Sequence, residues 1–237
     1  MSEKRLPRIV ESTEGVVGTL MLQVRATPDG ERFELIVGGH YVMAASDGKS
    51  ERLLAYDVLT SLGGREGITI LVGGLGLGLT LREALTHRSV KEAWVAEIEE
   101  TVVRWNRTYL KDYNGGAALD PRARIFIGDV GKLVSGKRSF FDAILMDVDN
   151  GPSFLVFERN RALYGDGGLK KMRRALKTGG VLGIWSYAKD PALEDGLVSV
   201  FGTFDRRLVR DEGIREDIPP TAIYTAVKAR RSFFSFK

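Results

Sequence analysis

Ile70-Leu71-Val72-Gly73-Gly74-Leu75-Gly76-Leu77-Gly78 is the stretch on which the reading of this 237-residue chain turns. The apolar run Ile68–Val72 is unbroken, as in a parallel strand covered on both faces. Glycines at 73, 74, 76 and 78 follow, and the chain then enters Leu79–Leu85, whose pattern is helical. Glycines between a buried strand and a helix let the backbone turn and approach a ligand with no Cβ in the way. The helix start adds N–H groups that have no partner within the helix. A tight turn without a ligand is the competing reading, and glycines at this density favour the ligand.

Downstream, strands and helices alternate. Ala93–Ile98, Arg124–Ile127, Phe141–Met146 and Val181–Ser186 read as strands, with helices at Thr101–Leu110, Gly168–Leu176 and Leu193–Phe201. Lys177-Thr178-Gly179-Gly180 reads as a helix stop, and Phe204–Val209 with Ala222–Val227 as a closing strand pair. Repeated β-α-β units predict a mostly parallel sheet of seven strands with right-handed crossovers, beginning near Ile68. Upstream, Val16–Val24, Phe33–Val37 and Tyr41–Ala45 are β-rich runs separated by Pro28-Asp29-Gly30 and Gly38-Gly39. Ser50–Leu62 is a helix stopped by Gly63-Gly64. The expected organisation is a small antiparallel β domain at 1–48 and a Rossmann-like α/β domain at 49–237.

Composition narrows the chemistry. With no cysteine, disulfides and thiolate zinc sites are excluded, and His40 and His87 lie far apart without metal-ligand spacing. No metal is expected. The net charge is +4, with its densest cations at Arg206, Arg207 and Arg210 and at Lys228, Arg230 and Arg231. Scattered Lys and Arg read as a solvated surface rather than a nucleic-acid face. Met1–Pro7 lacks the apolar core of a signal peptide, and no apolar run nears the roughly 20 residues of a membrane span. A cytoplasmic protein is expected, with no membrane partner.

Three acidic positions accompany the loop. Glu97 ends the second strand of the alternating series, where an acid meets ribose hydroxyls; Glu99 and Glu100 suit the start of the next helix. Asp129, after the third strand, fits two roles: acceptor for an exocyclic adenine amine, or cap of a short helix. Met146-Asp147-Val148-Asp149-Asn150-Gly151-Pro152 ends the fourth strand, placing carboxylates at the ligand edge of the sheet. They suit an amine, whose ammonium a carboxylate can hold and deprotonate. An Asx-turn leading into Gly-Pro is the plainer alternative.

A nicotinamide-dinucleotide fingerprint starting at Gly74 and Gly76 needs its third glycine at Leu79, and fails there. The spacing of Gly74, Gly76 and Gly78 instead resembles the nucleoside loop of adenosylmethionine-dependent transferases, and the expected fold is their Rossmann-like methyltransferase type. Between about Glu34 and Ser186 the chain resembles the polyamine aminopropyltransferases, the spermidine synthase family. The resemblance rests on Gly73–Glu83, Glu97-Ile98-Glu99, Pro121-Arg122, Gly128-Asp129, Phe141-Asp142 and the Asp147 segment, with the small β sheet before them.

That resemblance implies transfer of an aminopropyl group from decarboxylated S-adenosylmethionine to a small amine. Gly73, Gly74, Gly76, Gly78, Glu97 and Asp129 would hold the nucleoside, and Asp147, Asp149 and Asn150 the acceptor. Asp147 and Asp149 would be catalytic, with Asn150 orienting the amine. The family's motif Asp-Ser-x-Asp-Pro has Asn150 at its second acid, so Asp149 stands in one residue early. Leu77 occupies the place of the family's loop Asp, and Ser50-Glu51-Arg52-Leu53-Leu54 offers no clear counterpart of its Tyr-x-Glu segment. Both departures remove groups that bind amines. A methyltransferase using intact S-adenosylmethionine, and a non-catalytic nucleoside-binding relative, therefore stay open as alternatives, as does a homodimer.

Overall fold

In the computed structural model, described for residues 6–27, 30–44 (backbone alone for 40–44), 48–148, 150–152, 154–155, 157–210 and 218–229, the chain forms two sheets. The first is an antiparallel meander of β1 (Arg8–Glu14), β2 (Thr19–Thr27), β3 (Gly30–Val37) and β4 (His40–Ala44). There follow α1 (Lys49–Thr60), β5 (Ile68–Gly73), α2 (Leu79–Thr86), β6 (Val90–Glu97), α3 (Glu100–Arg107), β7 (Ala123–Ile127), α4 (Val130–Ser135) and β8 (Phe141–Met146). The chain closes with α5 (Arg161–Tyr164), α6 (Asp166–Ala175), β9 (Leu176–Ser186), α7 (Pro191–Phe201), β10 (Asp205–Val209) and β11 (Thr221–Val227).

The second sheet has seven strands in the order β10-β11-β9-β8-β5-β6-β7, and only β11 runs against the others, antiparallel to both β9 and β10. This is the expected Rossmann-like sheet, with the expected separate antiparallel element before it. The order reverses at β5: the chain steps out through β6 and β7, then returns to the other side at β8. A crevice opens at the carboxyl ends of the strands where such an order reverses.

Burial explains why these runs became strands. β8 is buried at all six positions, and β5 at all but Thr69. Side chains alternate between faces: Ile70, Val72, Ala143 and Leu145 point into one core, Leu71, Ile144 and Met146 into the other. The first core also takes Leu54 and Val58 of α1 and Leu20, Leu22, Leu35 and Val37 of the small sheet. That sheet therefore packs its apolar side over the α1 face. Among the described residues, no helix is long and apolar enough to cross a membrane.

Several boundaries differ from the sequence reading by a few residues, and three differences have a clear local reason. β2 starts at Thr19 rather than Val16, because Gly15–Gly18 is a turn closed by the Gly15 N–H on the Gly18 carbonyl. β1 precedes it unforeseen; its side chains are mostly exposed or half-buried, so it carries no apolar signal. Lys177–Gly180, read as a helix stop, lies inside β9, which begins at Leu176 directly after α6. The register slips between Phe141 and Ala143 to absorb the extra residues, as a bulge does.

α1 crosses the sheet over Gly183, where a Cβ would fall on the Val58 and Leu54 side chains. The valine is stiff, so the helix would have to move. Gly183→Ala should cost about 1–3 kcal/mol through overpacking. Denaturant unfolding is the check: the midpoint should fall with the slope unchanged, and an unaltered midpoint would mean α1 has slack there.

Candidate active site

The glycine loop, Asp147, Glu97 and Asp129 all lie at the carboxyl edge of the four neighbouring strands β8, β5, β6 and β7. Backbone bonds tie them together. The Asp147 N–H donates to the Gly73 carbonyl at 2.8 Å, the Gly74 N–H to Ala96 at 2.9 Å, and the Gly128 N–H to the Glu97 carbonyl at 2.8 Å. Gly74, Gly76 and Gly78 are all left-handed, with φ of 83°, 49° and 84°. At Gly74 a side chain is excluded twice, since a Cβ would also fall on the Asp147 carbonyl oxygen.

Glu97 is buried and braces the loop. Its Oε2 accepts the Leu75 N–H at 2.8 Å and its Oε1 the Glu99 N–H at 2.9 Å. Burial pushes its carboxyl above the usual carboxylate range, against those two bonds. Each oxygen keeps a further lone pair for a ligand hydroxyl.

Glu99 does more than start a helix. Its carboxylate accepts the N–H groups of Val16 and Val17 at 3.0 and 2.7 Å, tying the β1–β2 turn to the site. Asp129 is the N-cap of α4: its Oδ1 accepts the Lys132 N–H at 2.7 Å. The capping role is thus filled with one oxygen.

Asp147 is also perturbed. Its Oδ2 accepts the Thr80 hydroxyl at 2.5 Å, from the first turn of α2. Burial, and then the negative charge of Glu51, push its carboxyl up to about 7, while the Thr80 bond pulls it down. Glu51 is itself buried, in the first turn of α1, and accepts the Ser50 hydroxyl at 2.7 Å. Sequence reasoning missed it, because its neighbour in space is 96 positions away (51 to 147) and its own surroundings read as an ordinary amphipathic helix. Asn150 is described, and its carbonyl accepts the Tyr187 N–H at 3.1 Å; Asp149 lies outside the described residues. Leu77 is fully buried in the core of the α1 face.

Among the described residues, no group of three or more acidic or histidine side chains is placed to hold a metal. Two of the noted cations are ion-paired: Arg206 with Glu194 at 2.5 Å, and Arg207 with Asp57 at 2.7 Å. Arg210 donates to the Ile218 carbonyl at 3.1 Å and Lys228 to the Leu176 carbonyl at 2.5 Å, while Arg230 and Arg231 lie outside the described residues.

Comparison with known proteins decides the lineage. The family model for the spermine/spermidine synthase domain matches residues 35–203. The chain belongs to that family. A polyamine aminopropyltransferase of Aeropyrum pernix is 35% identical over 117 residues, covering 47% of this chain and 35% of that protein. One from Saccharolobus islandicus is 30% identical over 156 residues, 64% of this chain and 48% of that protein. The chain thus spans between a third and a half of the length of these curated relatives. Among solved structures, spermidine synthase from Thermotoga maritima superposes with a TM-score of 0.75 at 23% identity, over 94% of this chain and 73% of that one. A spermidine synthase in complex with the transition-state analogue AdoDATO gives 0.74, also at 23% identity. At that identity the likeness establishes the family's fold.

The raised Asp147 carboxyl makes the stability of the fold depend on pH. Folded, it keeps its proton to about pH 7, against 3.8 for an ordinary aspartate, so the folded state binds more protons between those values. The group therefore contributes stability at low pH that is lost as pH rises toward 7. Thr80→Val should move the titration of Asp147 higher and Glu51→Gln should move it lower, followed by carboxyl-carbon NMR. Equal values in parent and variants would show that neither side chain acts on Asp147.

Proposed function

We propose that the chain transfers an aminopropyl group from decarboxylated S-adenosylmethionine to an amine of the polyamine class. The observation that carries this reading is the buried Asp147 carboxyl, with Glu51 beside it, at the strand reversal next to the glycine loop. Two acids out of water, one protonated to about pH 7, suit a cationic ligand: an incoming ammonium supplies the charge that burial leaves unmatched. Family membership and the names of the relatives support the same chemistry.

In this reading Gly73, Gly74, Gly76 and Gly78 carry the nucleoside, Glu97 accepts from ribose hydroxyls, and Asp129 turns its second oxygen to the adenine amine. The acceptor enters by Asp147, with Asp149 and Asn150 following it along the chain. Asp147 takes a proton from the ammonium, and the freed nitrogen attacks the propyl carbon beside the sulfonium. The C–N bond forms as the C–S bond breaks, and the bonding pair returns to sulfur, leaving methylthioadenosine. The new secondary ammonium sheds its extra proton to solvent or to a carboxylate. Charge is neutralised at sulfur and created at nitrogen, so the protein contributes mainly positioning and the deprotonated amine. Methyl transfer from intact S-adenosylmethionine, and loss of catalysis, are not favoured by family membership.

Initial rates of methylthioadenosine release, with decarboxylated and intact S-adenosylmethionine against a panel of polyamines, test this reading. The decarboxylated donor should be used with at least one polyamine, and kcat/KM should rise with pH through about 7 as Asp147 ionises. Asp147→Asn should lose about 10²–10⁴-fold in rate while binding methylthioadenosine as the parent does. Asp149→Asn, measured alongside, shows whether the second acid shares the proton transfer. No release with any amine, or full activity in Asp147→Asn, would overturn the assignment.

A further inference from the structure

Two asparagines lie against the back of the glycine loop, one in the last turn of α3 and one in the turns after it, and both are fully buried. Asn106 Nδ2 donates to the Gly76 carbonyl at 2.8 Å and to the Val102 carbonyl at 2.9 Å. Its Oδ1 accepts from Asn114 Nδ2 at 2.7 Å. Asn114 Nδ2 also donates to the Leu77 carbonyl at 3.2 Å, and its Oδ1 accepts the Gly116 N–H at 3.1 Å. All four amide hydrogens and both amide oxygens are used. Gly78 is glycine partly on their account, since a Cβ there would fall on Asn106 Oδ1 and Asn114 Nδ2.

Apolar side chains of the same volume would fill this space without the cost of burying two amides. What they would not supply is a hold on consecutive loop carbonyls. A trans peptide is planar, with its C=O and the following N–H on opposite sides. Drawing the Gly76 carbonyl toward α3 therefore turns the Leu77 N–H away from it, and drawing in the Leu77 carbonyl does the same to the Gly78 N–H, which donates to Leu75 at 2.7 Å. On the opposite flank Glu97 holds the Leu75 N–H. The loop is thus gripped from two sides, with its left-handed glycines free to take the orientation that the grip demands.

We propose that Asn106 and Asn114 are positioning residues, which set the peptide planes of the glycine loop for the nucleoside. The inference rests on the reading of that loop as the donor site. Asn106→Leu and Asn114→Leu remove the donors while keeping most of the volume, and Asn114→Ser is a milder variant that spares the Asn106 bonds to the backbone. Leu197→Ala, in the buried second core on the other face of the sheet, serves as a destabilised control. Calorimetric titration with methylthioadenosine, at a temperature where every variant is folded by circular dichroism, is read beside the melting temperature. Loss of the grip should weaken nucleoside binding about tenfold in either Leu variant. Leu197→Ala should bind within about twofold of the parent however far its melting temperature falls, since distant sites act independently. Should the Leu variants fail to fold, Asn114→Ser carries the test with a weaker but measurable loss. In active preparations the donor KM should rise with the acceptor KM unchanged. Asparagine variants that melt lower but bind as the parent does would overturn the inference and leave the site reading intact. A parent that binds neither methylthioadenosine nor either donor would overturn the site reading, and this inference with it.

Discussion

Gly74 sits against the carbonyl of Asp147 so closely that no side chain fits between them. That contact is the constraint on which the ligand edge depends. It joins the turn after β5 to the residue that follows β8, the two strands between which the sheet order reverses, and the Asp147 N–H bond to Gly73 closes it from the other side. Because Gly74 is also bonded to Ala96 of β6, one glycine holds three strand ends in register. This junction, together with the Glu97 bond to the Leu75 N–H and the Thr80 bond to Asp147, sets the positions of the two acids relative to the loop.

The junction also sets the electrostatics. A carboxyl at a strand end beneath a packed loop has lost most of its water, and Asp147 is held near neutrality by burial before any neighbour is considered. Glu51 adds to the effect from α1, which the small antiparallel sheet presses onto the main one through a shared apolar core. Thr80 opposes it with one short bond. The small sheet therefore has two connections to the site: by packing, it keeps the first turn of α1 against Asp147, and through Glu99 it anchors its own β1–β2 turn beside Glu97.

Much of the fold was legible because burial on both faces leaves a plain mark. β5 and β8 are continuous apolar runs, and the glycines after β5 cannot be confused with anything but a turn under close contact. β1 left no such mark, since an edge strand with little burial can be built from almost any residues. The start of β9 was hidden by Gly179 and Gly180, which look like a helix stop and instead absorb a register slip. At the site, acids at strand ends were legible from position alone, as with Glu97 and Asp147. Glu51, Asn106 and Asn114 were not, because each acts on a partner brought near by folding. In the sequence they look like any polar residue on a solvated face.

Leu77 brings no charge to the glycine loop. The family places an acid at this point of the loop, whereas here the side chain is fully buried in the core that α1 covers. A carboxylate in that environment would lack both water and a partner, at a cost of several kcal/mol. A buried acid is found on α1, where Glu51 accepts the Ser50 hydroxyl and its charge acts on Asp147. Burial and the charge of Glu51 together hold the proton on Asp147 to about pH 7. On the reading proposed for this site, binding the amine and preparing its base become one event: the ammonium that neutralises Glu51 and Asp147 also lowers the affinity of Asp147 for its own proton.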